Sequence, residues 1–198
     1  MKALTSTLLV TALALPALSN AQERGARPQS SQFDYTYVEL SYDESDFDVP
    51  GPADEGDGFT VSGSFEIKDQ WHAYAAYTNA DLDAGINVDT WAIGVGYVFP
   101  LKSDVDLYGR VLYINSEVDL PGPASADEDG LGLQFRARAM VTDELEVEGG
   151  IQYVDVGNSD TSLHVGGRYY FTDSFSAGLG LNFAGDNDSL GINARFQF

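Results

Sequence analysis

Apolar and polar residues alternate with a period of two from Phe33 to Phe198. This alternation is the pattern of a β-strand with one apolar and one polar face. It predicts an all-β fold, and the helix period of 3.6 residues is nowhere sustained. The predicted strands, ten in number, are Phe33–Tyr42, Gly58–Ile67, Trp71–Asn79, Thr90–Phe99, Val105–Asn115, Leu131–Val141, Leu145–Val154, Ser162–Phe171, Phe175–Phe183 and Leu190–Phe198.

The segments between these strands alternate in length. Short connections such as Lys68–Gln70 and Thr142–Glu144 alternate with long ones such as Asp43–Asp57 and Ser116–Gly130. Short and long connections therefore lie at opposite ends of an up-and-down antiparallel sheet. With an even number of strands, both ends of the sheet fall on the short-turn side, as in bacterial outer-membrane barrels. We expect a transmembrane β-barrel of ten strands, with eight as the alternative.

The two faces of the predicted strands decide between a soluble and a membrane barrel. A soluble ligand-binding barrel would turn its apolar face inward, yet this face holds too many large side chains for a small interior. Its aromatic residues, among them Trp71, Tyr97 and Phe99 at one end and Tyr77 and Trp91 at the other, cluster near strand ends. Such clusters resemble the interfacial girdles of membrane barrels. We therefore expect the apolar face to contact lipid and the polar face to line the lumen.

The first 21 residues predict a cleaved signal peptide rather than a transmembrane anchor. Lys2 supplies the positive charge, an apolar stretch follows, and Ser19-Asn20-Ala21 is a small-residue cleavage site. A transmembrane helix would need a longer uninterrupted apolar run. The predicted organisation is residues 1–21 as signal peptide, 22–32 as a flexible periplasmic tail and 33–198 as the barrel, with both mature termini periplasmic.

Composition excludes several classes of function. The chain has no cysteine, so disulfides, thiolate metal sites and a cysteine nucleophile are absent. Its net charge of −21 argues against nucleic acid as a partner, because phosphate binding needs a basic surface.

Several segments resemble a known group of proteins. They are Tyr37-Val38-Glu39, Trp91–Tyr97 (WAIGVGY), Asp106–Arg110 (DLYGR) and the terminal Ala194–Phe198 (ARFQF). The chain from Phe33 to Phe198 resembles the small outer-membrane β-barrels of the OmpA/OmpX type, nearest to the diffusible-signal-regulated Ax-type barrels. The resemblance implies an outer-membrane location, and Phe196 and Phe198 would form the signal that the barrel-assembly machinery reads. It implies no single activity.

Acidic residues concentrate in the predicted long loops, which hold 19 of the 31 Asp and Glu residues and no Lys or Arg. The simplest interpretation is a solvated, repulsive rim. The alternative is binding of Ca²⁺ or Mg²⁺ by hard oxygen ligands, for example as a bridge to lipopolysaccharide phosphates. The candidate metal ligands are Asp54, Glu55, Asp57, Asp127, Glu128 and Asp129. No other cofactor is expected.

The polar face of the strands predicts a network of charges that closes the lumen. Its members are Glu39, Glu66, His72, Arg110, Arg136, Arg138, Glu148, Arg168 and Arg195. Counting outward from each short turn places Arg138 opposite Glu148 and Glu66 opposite His72. The same count places Arg136, Arg168 and Arg110 opposite Gly150, Gly178 and Gly94, which would leave room for guanidinium groups to cross the interior.

Catalytic signals are few. Ser162 and His164 lie two residues apart on the inward face, a spacing that superficially suits Ser/His hydrolysis, but no acid is clearly placed to orient His164. We expect no enzyme. The sequence favours a monomeric, non-enzymatic outer-membrane barrel of the Gram-negative cell envelope whose acidic loops serve envelope integrity or surface interaction. A narrow porin-like channel for small solutes is the first alternative, and an outer-membrane hydrolase is the second.

Overall fold

The computed structural model describes residues 31–47, 55–68, 70–121, 125–185 and 187–198, apart from the side chains of Phe47 and Ala84. The strands are β1 (Tyr37–Phe47), β2 (Glu55–Lys68), β3 (Trp71–Leu82), β4 (Ile86–Lys102), β5 (Val105–Asp119), β6 (Ser125–Met140), β7 (Leu145–Val156), β8 (Asn158–Tyr170), β9 (Phe175–Ala184) and β10 (Asn187–Gln197). A single turn of 3₁₀ helix, Asp83–Gly85, joins β3 to β4. Every strand pairs antiparallel with its chain neighbours, and β1 pairs with β10 to close the barrel.

The predicted fold class is confirmed, with ten strands rather than eight. Strand β1 begins and β10 ends at the same end of the barrel, which also holds the turns near Gln70, Ser103, Asp143 and Asp173. We call this the turn end and the opposite end the collar end. No helix among the described residues is long and apolar enough to cross a membrane.

The predicted long loops are mostly strand, so that part of the prediction is wrong. Strands β5 and β6 run to Asp119 and from Ser125, and only 120–124 remains between them. Gly157 alone separates β7 from β8. The sequence misled because an acidic strand that continues into water loses its apolar alternation but keeps its ladder of backbone hydrogen bonds. Most of the described acids of these segments therefore lie on a strand collar.

The first strand also begins later than predicted. Residues Phe33 to Thr36 precede β1, and Phe33 and Tyr35 point into the barrel, where 7% and 3% of their surfaces are exposed. Phe33 and Tyr35 alternate with polar residues as they would in a strand, which is why the sequence predicts one here. The segment 31–36 instead forms a cap that fills the turn end of the lumen.

The barrel exterior carries a continuous apolar band. Along β4 the outward side chains run from Leu101 to Trp91, and those of Phe99, Val95 and Ile93 between them are about half exposed. This span of ten residue steps, at about 3.4 Å per residue and a tilt of about 45°, gives a band about 24 Å high. That height matches the hydrocarbon layer that an outer-membrane barrel crosses.

Register fixes which side chains meet inside the barrel. The predicted pairs Arg138–Glu148, Arg136–Gly150, Arg168–Gly178 and Glu66–His72 are confirmed as Cα partners. The predicted Arg110–Gly94 pair is wrong, because Arg110 lies opposite Gly96. Strand β4 continues through Pro100 to Lys102 and carries a bulge there. The partner of Arg110 is therefore two residues further along β4 than the predicted turn implies.

Topology can be tested with protease on whole cells. If the collar end is external, the chain should be cut near Ala53 or Ala124, whose conformations lie outside the described residues, and should be spared at Thr142–Glu144. Fragments would be sized by mass spectrometry, with detergent-lysed cells as the control for full access. Cleavage confined to the turns of the turn end would show the opposite orientation.

Candidate functional site in the barrel interior

A bidentate ion pair closes the turn end of the lumen. Arg138 on β6 donates through Nε and Nη2 to the two carboxylate oxygens of Glu146 on β7, at 2.9 and 2.8 Å. Both side chains are 2% exposed. The hydroxyl of Tyr170 donates to the same carboxylate at 2.6 Å. A buried charge pair is tolerated when its remaining hydrogen-bonding capacity is satisfied, and this pair meets most of that requirement.

The cap seals this pair from below. The Arg138 guanidinium lies 4.6 Å from the ring centre of Phe33 and 5.1 Å from that of Tyr35. The Tyr35 hydroxyl donates to Asp106 at 3.2 Å, and the Ser31 hydroxyl also donates to this carboxylate. Tyr35 stacks on His72 with ring centres 5.1 Å apart. Cation–π and stacking contacts of this kind add to the apolar burial of the two rings.

A layer of arginines lies above the ion pair, toward the collar end. We call Arg110, Arg136, Arg168 and Arg195 the arginine floor. Arg136 Nη1 contacts Glu148 Oε1 at 2.6 Å. Arg168 Nη1 and Arg195 Nε share one oxygen of Glu39, at 2.7 and 2.9 Å. The floor therefore sets four guanidinium groups against two carboxylates.

Arg110 is the member of this floor that has no carboxylate partner among the described residues. It donates to His72 Nε2 at 3.0 Å, to the Tyr37 hydroxyl at 3.0 Å and to Gln134 Oε1 at 3.4 Å. Its guanidinium also lies over the rings of Tyr74 and Tyr108, at 4.2 and 4.8 Å. Neutral acceptors and aromatic faces therefore hold a buried positive charge.

Glycines opposite the arginines provide the space that the floor occupies. A Cβ added to Gly96 would lie 2.3 Å from His72 Nε2 and 2.8 Å from Arg110 Cγ. One added to Gly150 would lie 2.6 Å from Arg136 Cγ. Both separations are shorter than van der Waals contact, so a larger residue would displace the arginine or its partner.

The structure arranges the predicted network differently in two places. Arg138 Nε is 3.8 Å from Glu148 Oε2, so its closer partner is Glu146, which the sequence analysis missed. Glu66 lies opposite His72 but is exposed at the end of β2, and no hydrogen bond or ion pair among the described residues joins the two. His72 is buried against Arg110 and Tyr35 instead.

Three interior residues escaped prediction for identifiable reasons. Glu146 is the diagonal neighbour of Arg138 across the β6–β7 ladder, and only direct partners were counted. Asp106 is named in the sequence analysis only as part of the family resemblance, whereas the structure places it directly opposite Arg138. Tyr35 was placed on a strand, because the sequence does not show where the chain leaves the sheet.

A polar chamber occupies the lumen between the floor and the collar end. Its volume is about 310 Å³. Hydroxyl, amide and small side chains form its wall, and these include Ser62, Thr60, Thr78, Thr90, Gln134, Gln152, Asn182 and Asn193. Glu39 and Glu148 line the chamber at the floor, and Asp43, directly opposite Gly191, is a carboxylate of the wall above it. Such a chamber can hold water or a small polar solute.

The Ser162–His164 pair does not form a catalytic dyad. His164 Nδ1 contacts Asn182 Oδ1 at 2.8 Å, and its Nε2 is 3.5 Å from Glu148 Oε1. No hydrogen bond joins Ser162 to His164 within the described ranges, since alternate residues of a strand point in parallel. The sequence places no acid clearly beside His164, whereas the structure brings Glu148 near it.

The acids of the collar form a belt around the outside of the barrel. We define the carboxylate belt as the outward-facing Glu44, Asp46, Glu55, Asp57, Asp81, Asp89, Glu117, Asp127, Asp129, Asp155 and Asp188. Several face one another directly across strands: Glu44–Asp57, Asp46–Glu55, Asp46–Asp188, Asp57–Asp81 and Glu117–Asp127. Like charges in such positions are destabilising.

Hydrogen bonds tie this belt to the apolar band below it. The hydroxyl of Tyr42 donates to Asp57 at 3.1 Å, and that of Tyr77 donates to Asp89. Asn115 donates to Asp127 at 3.1 Å. Tyrosines at a membrane–water interface commonly have one apolar and one hydrated end, and these match that arrangement.

The predicted metal ligands do not form a chelating group. Asp54 lies outside the described residues, and Glu55 and Asp57 face outward on β2. Alternation on β6 directs Asp127 and Asp129 to the outside and Glu128 to the inside. Within the described ranges, no three His, Asp or Glu side chains are grouped so that they could hold a metal ion.

The terminal aromatics lie on the exterior at the turn end. Phe196 and Phe198 are 49% and 71% exposed, and their ring centres are 5.3 Å apart. The outward row that the resemblance requires of an assembly signal is therefore present.

Comparison with known proteins identifies the group. A family model described as the outer membrane protein β-barrel domain matches residues 5–183. The chain belongs to this outer-membrane β-barrel family. Its members reside in the outer membrane, which agrees with the apolar band and the polar lumen. No curated protein matches this outer-membrane barrel significantly.

Solved structures also show similarity to this outer-membrane barrel. Neisserial surface protein A is 19% identical, with 83% of this chain and 98% of that chain covered and a TM-score of 0.46. The KdgM porin in complex with disordered oligogalacturonate is 9% identical, with coverages of 81% and 99% and a TM-score of 0.46. Ail, the attachment invasion locus protein of Yersinia pestis, is 14% identical, with coverages of 81% and 97% and a TM-score of 0.43.

A double-mutant cycle tests the buried ion pair of this outer-membrane barrel. Glu146→Gln should destabilise the barrel by about 3–5 kcal/mol, because it leaves Arg138 buried without its main counter-charge. The double variant Arg138→Met/Glu146→Gln should lose less than the sum of Arg138→Met and Glu146→Gln. The measurement is denaturant unfolding of the refolded barrel in detergent micelles.

The matched control is Glu144→Gln, which makes the same change in the exposed turn nearby and should shift stability by less than about 0.5 kcal/mol. Costs that simply add across the cycle would contradict a coupled buried pair.

Proposed function

We propose that this protein is a closed, non-enzymatic scaffold of the outer membrane whose acidic collar serves envelope integrity or surface interaction. The observation that carries the proposal is the seal at the turn end. Arg138, Glu146, His72 and Asp106 are each at most 2% exposed there, and the cap covers them. A lumen blocked by a buried, hydrogen-bonded layer offers no continuous aqueous path.

The size of the barrel supports a filled interior. Barrels of about eight strands are just filled by their own side chains, whereas those of sixteen or more leave an aqueous channel. With ten strands, this barrel lies near the filled end of that range. Opening the seal would separate Arg138 from Glu146, so that each charged side chain would lose its partner. Such a separation is costly for a buried pair.

The carboxylate belt indicates the chemistry of the proposed partner. Its direct acid–acid pairs across strands are unfavourable in water unless cations reduce the repulsion. At the headgroup level of the outer leaflet, Ca²⁺ or Mg²⁺ would be shared between a belt carboxylate and a lipopolysaccharide phosphate. The protein would supply one or two ligands and the lipid the rest, since no described cluster could chelate the ion alone.

The remaining parts of the proposal concern assembly and orientation. Both mature termini would lie in the periplasm, so that the collar is external. The barrel-assembly machinery would read the outward row that ends in Phe196 and Phe198. The barrel would act as a monomer, because its edges are closed by the β1–β10 pairing and none of the described strands has a free edge to recruit a partner.

The second candidate is a narrow channel for small solutes, and the polar chamber favours it. About 310 Å³ of polar space already occupies the collar half of the lumen. Conduction would require the cap and the Arg138–Glu146 pair to move aside.

Planar-bilayer recording distinguishes the two candidates. The unchanged protein should show no single-channel steps. A Tyr35→Ala/Arg138→Ala/Glu146→Ala variant should show small openings, because short neutral side chains then replace the buried ion pair and one of the two aromatic rings that cover it. Large open-state steps from the unchanged protein would reject the scaffold. A silent variant that migrates as a folded barrel would show that this layer is not the seal.

A further inference from the structure

We infer that the arginine floor is a binding site for one small oxyanion, of the class of inorganic phosphate or a small carboxylate, held in the chamber beside Arg110. The site goes beyond the scaffold function and does not depend on it. It lies in a dead-end compartment, so it requires no flow through the barrel.

Charge is the first argument. The floor has four guanidinium groups and two carboxylates, which leaves an excess of two positive charges at this level. Asp43, a carboxylate of the chamber wall above the floor, is four residues from Glu39 along β1, a separation of about 13 Å along the strand. At the turn end, Glu146 is held by Arg138, and Asp106 is bound by Ser31 and Tyr35. Hydroxyl donors do not cancel the charge of Asp106, so the turn end carries one excess negative charge, and the floor and the turn end together keep one excess positive charge.

Unused hydrogen-bonding capacity is the second argument. Arg110 and Arg195 are each 5% exposed. Arg195 Nη1 and Arg136 Nε are buried and have no hydrogen-bond partner within the described residues. Arg110 Nη1 has only the long 3.4 Å contact with Gln134. Buried donors without acceptors are costly, and those on guanidinium groups are especially so. An oxyanion would supply these acceptors if the guanidinium groups of Arg136 and Arg195 turned their buried donors toward the chamber.

Shape is the third argument. The chamber volume of about 310 Å³ equals the space of about ten water molecules, which admits a small anion with part of its hydration shell. The wall above the floor contributes neutral hydroxyl and amide groups, among them Ser62, Gln134 and Asn193. Lipid phosphates cannot reach this interior position, so the ligand is a free anion. The planar guanidinium groups match the paired oxygens of phosphate and carboxylate.

Isothermal titration of the refolded, detergent-solubilised barrel tests this site with inorganic phosphate, acetate and uncharged glycerol at constant ionic strength. We expect one saturable site for phosphate, weaker binding of acetate and none of glycerol. Arg110→Gln should weaken phosphate binding at least about tenfold, because a charge-assisted hydrogen bond is lost. Glu39→Gln should tighten it, because it frees Arg168 and Arg195.

Lys102→Gln is the matched control, since it removes one positive charge from the exposed end of β4 and should leave the affinity unchanged. A second measurement needs no variant: phenylglyoxal labelling of arginine in the unchanged barrel, where phosphate should protect Arg110 and Arg136. Absence of saturable binding would overturn the proposal. So would an affinity that Arg110→Gln leaves unchanged, or labelling of Arg110 and Arg136 that phosphate does not slow.

Discussion

Closure of β1 against β10 is the constraint on which the rest of this structure depends. The hydrocarbon layer offers no water to backbone N–H and C=O groups, so a sheet can cross it only when every strand has two neighbours. Here the pairing runs in step from Tyr37–Gln197 to Phe47–Asn187. Once the sheet is closed, alternation assigns each side chain to lipid or to the lumen, and the small interior must satisfy every charge placed in it.

The interior meets that requirement in layers. At the turn end, a bidentate pair and two aromatic rings of the cap exclude water. Above it, the arginine floor uses two carboxylates, one tyrosine hydroxyl and aromatic ring faces to hold four positive charges. The chamber beyond is polar and nearly uncharged. Along the barrel axis, the sealed layer comes first, the arginine floor second and the chamber third. This order separates the structural function of the seal from the binding function inferred for the floor.

Sequence reasoning reached the fold because alternation and turn length are direct consequences of a barrel in a membrane. It placed Arg136 and Arg168 opposite glycines correctly, since the turns that fix those registers are short and regular. It failed for Arg110 because a bulge near Pro100 leaves no mark in the hydrophobic pattern. It also missed the bond between Arg138 and Glu146, because a long side chain selects among direct and diagonal neighbours by packing.

The ion pair between Arg195 and Glu39 crosses the seam of the barrel and joins residues 156 positions apart in the chain. Loop-closure entropy makes such a contact among the last to form, after the local hairpins from β2 to β9 are in place. The residues that hold the seam also belong to the arginine floor, and the segment leading into β1 carries the cap. Completion of the outer wall and completion of the interior are thus a single event in folding. A chain in which β1 and β10 have not paired therefore also lacks a complete lumen.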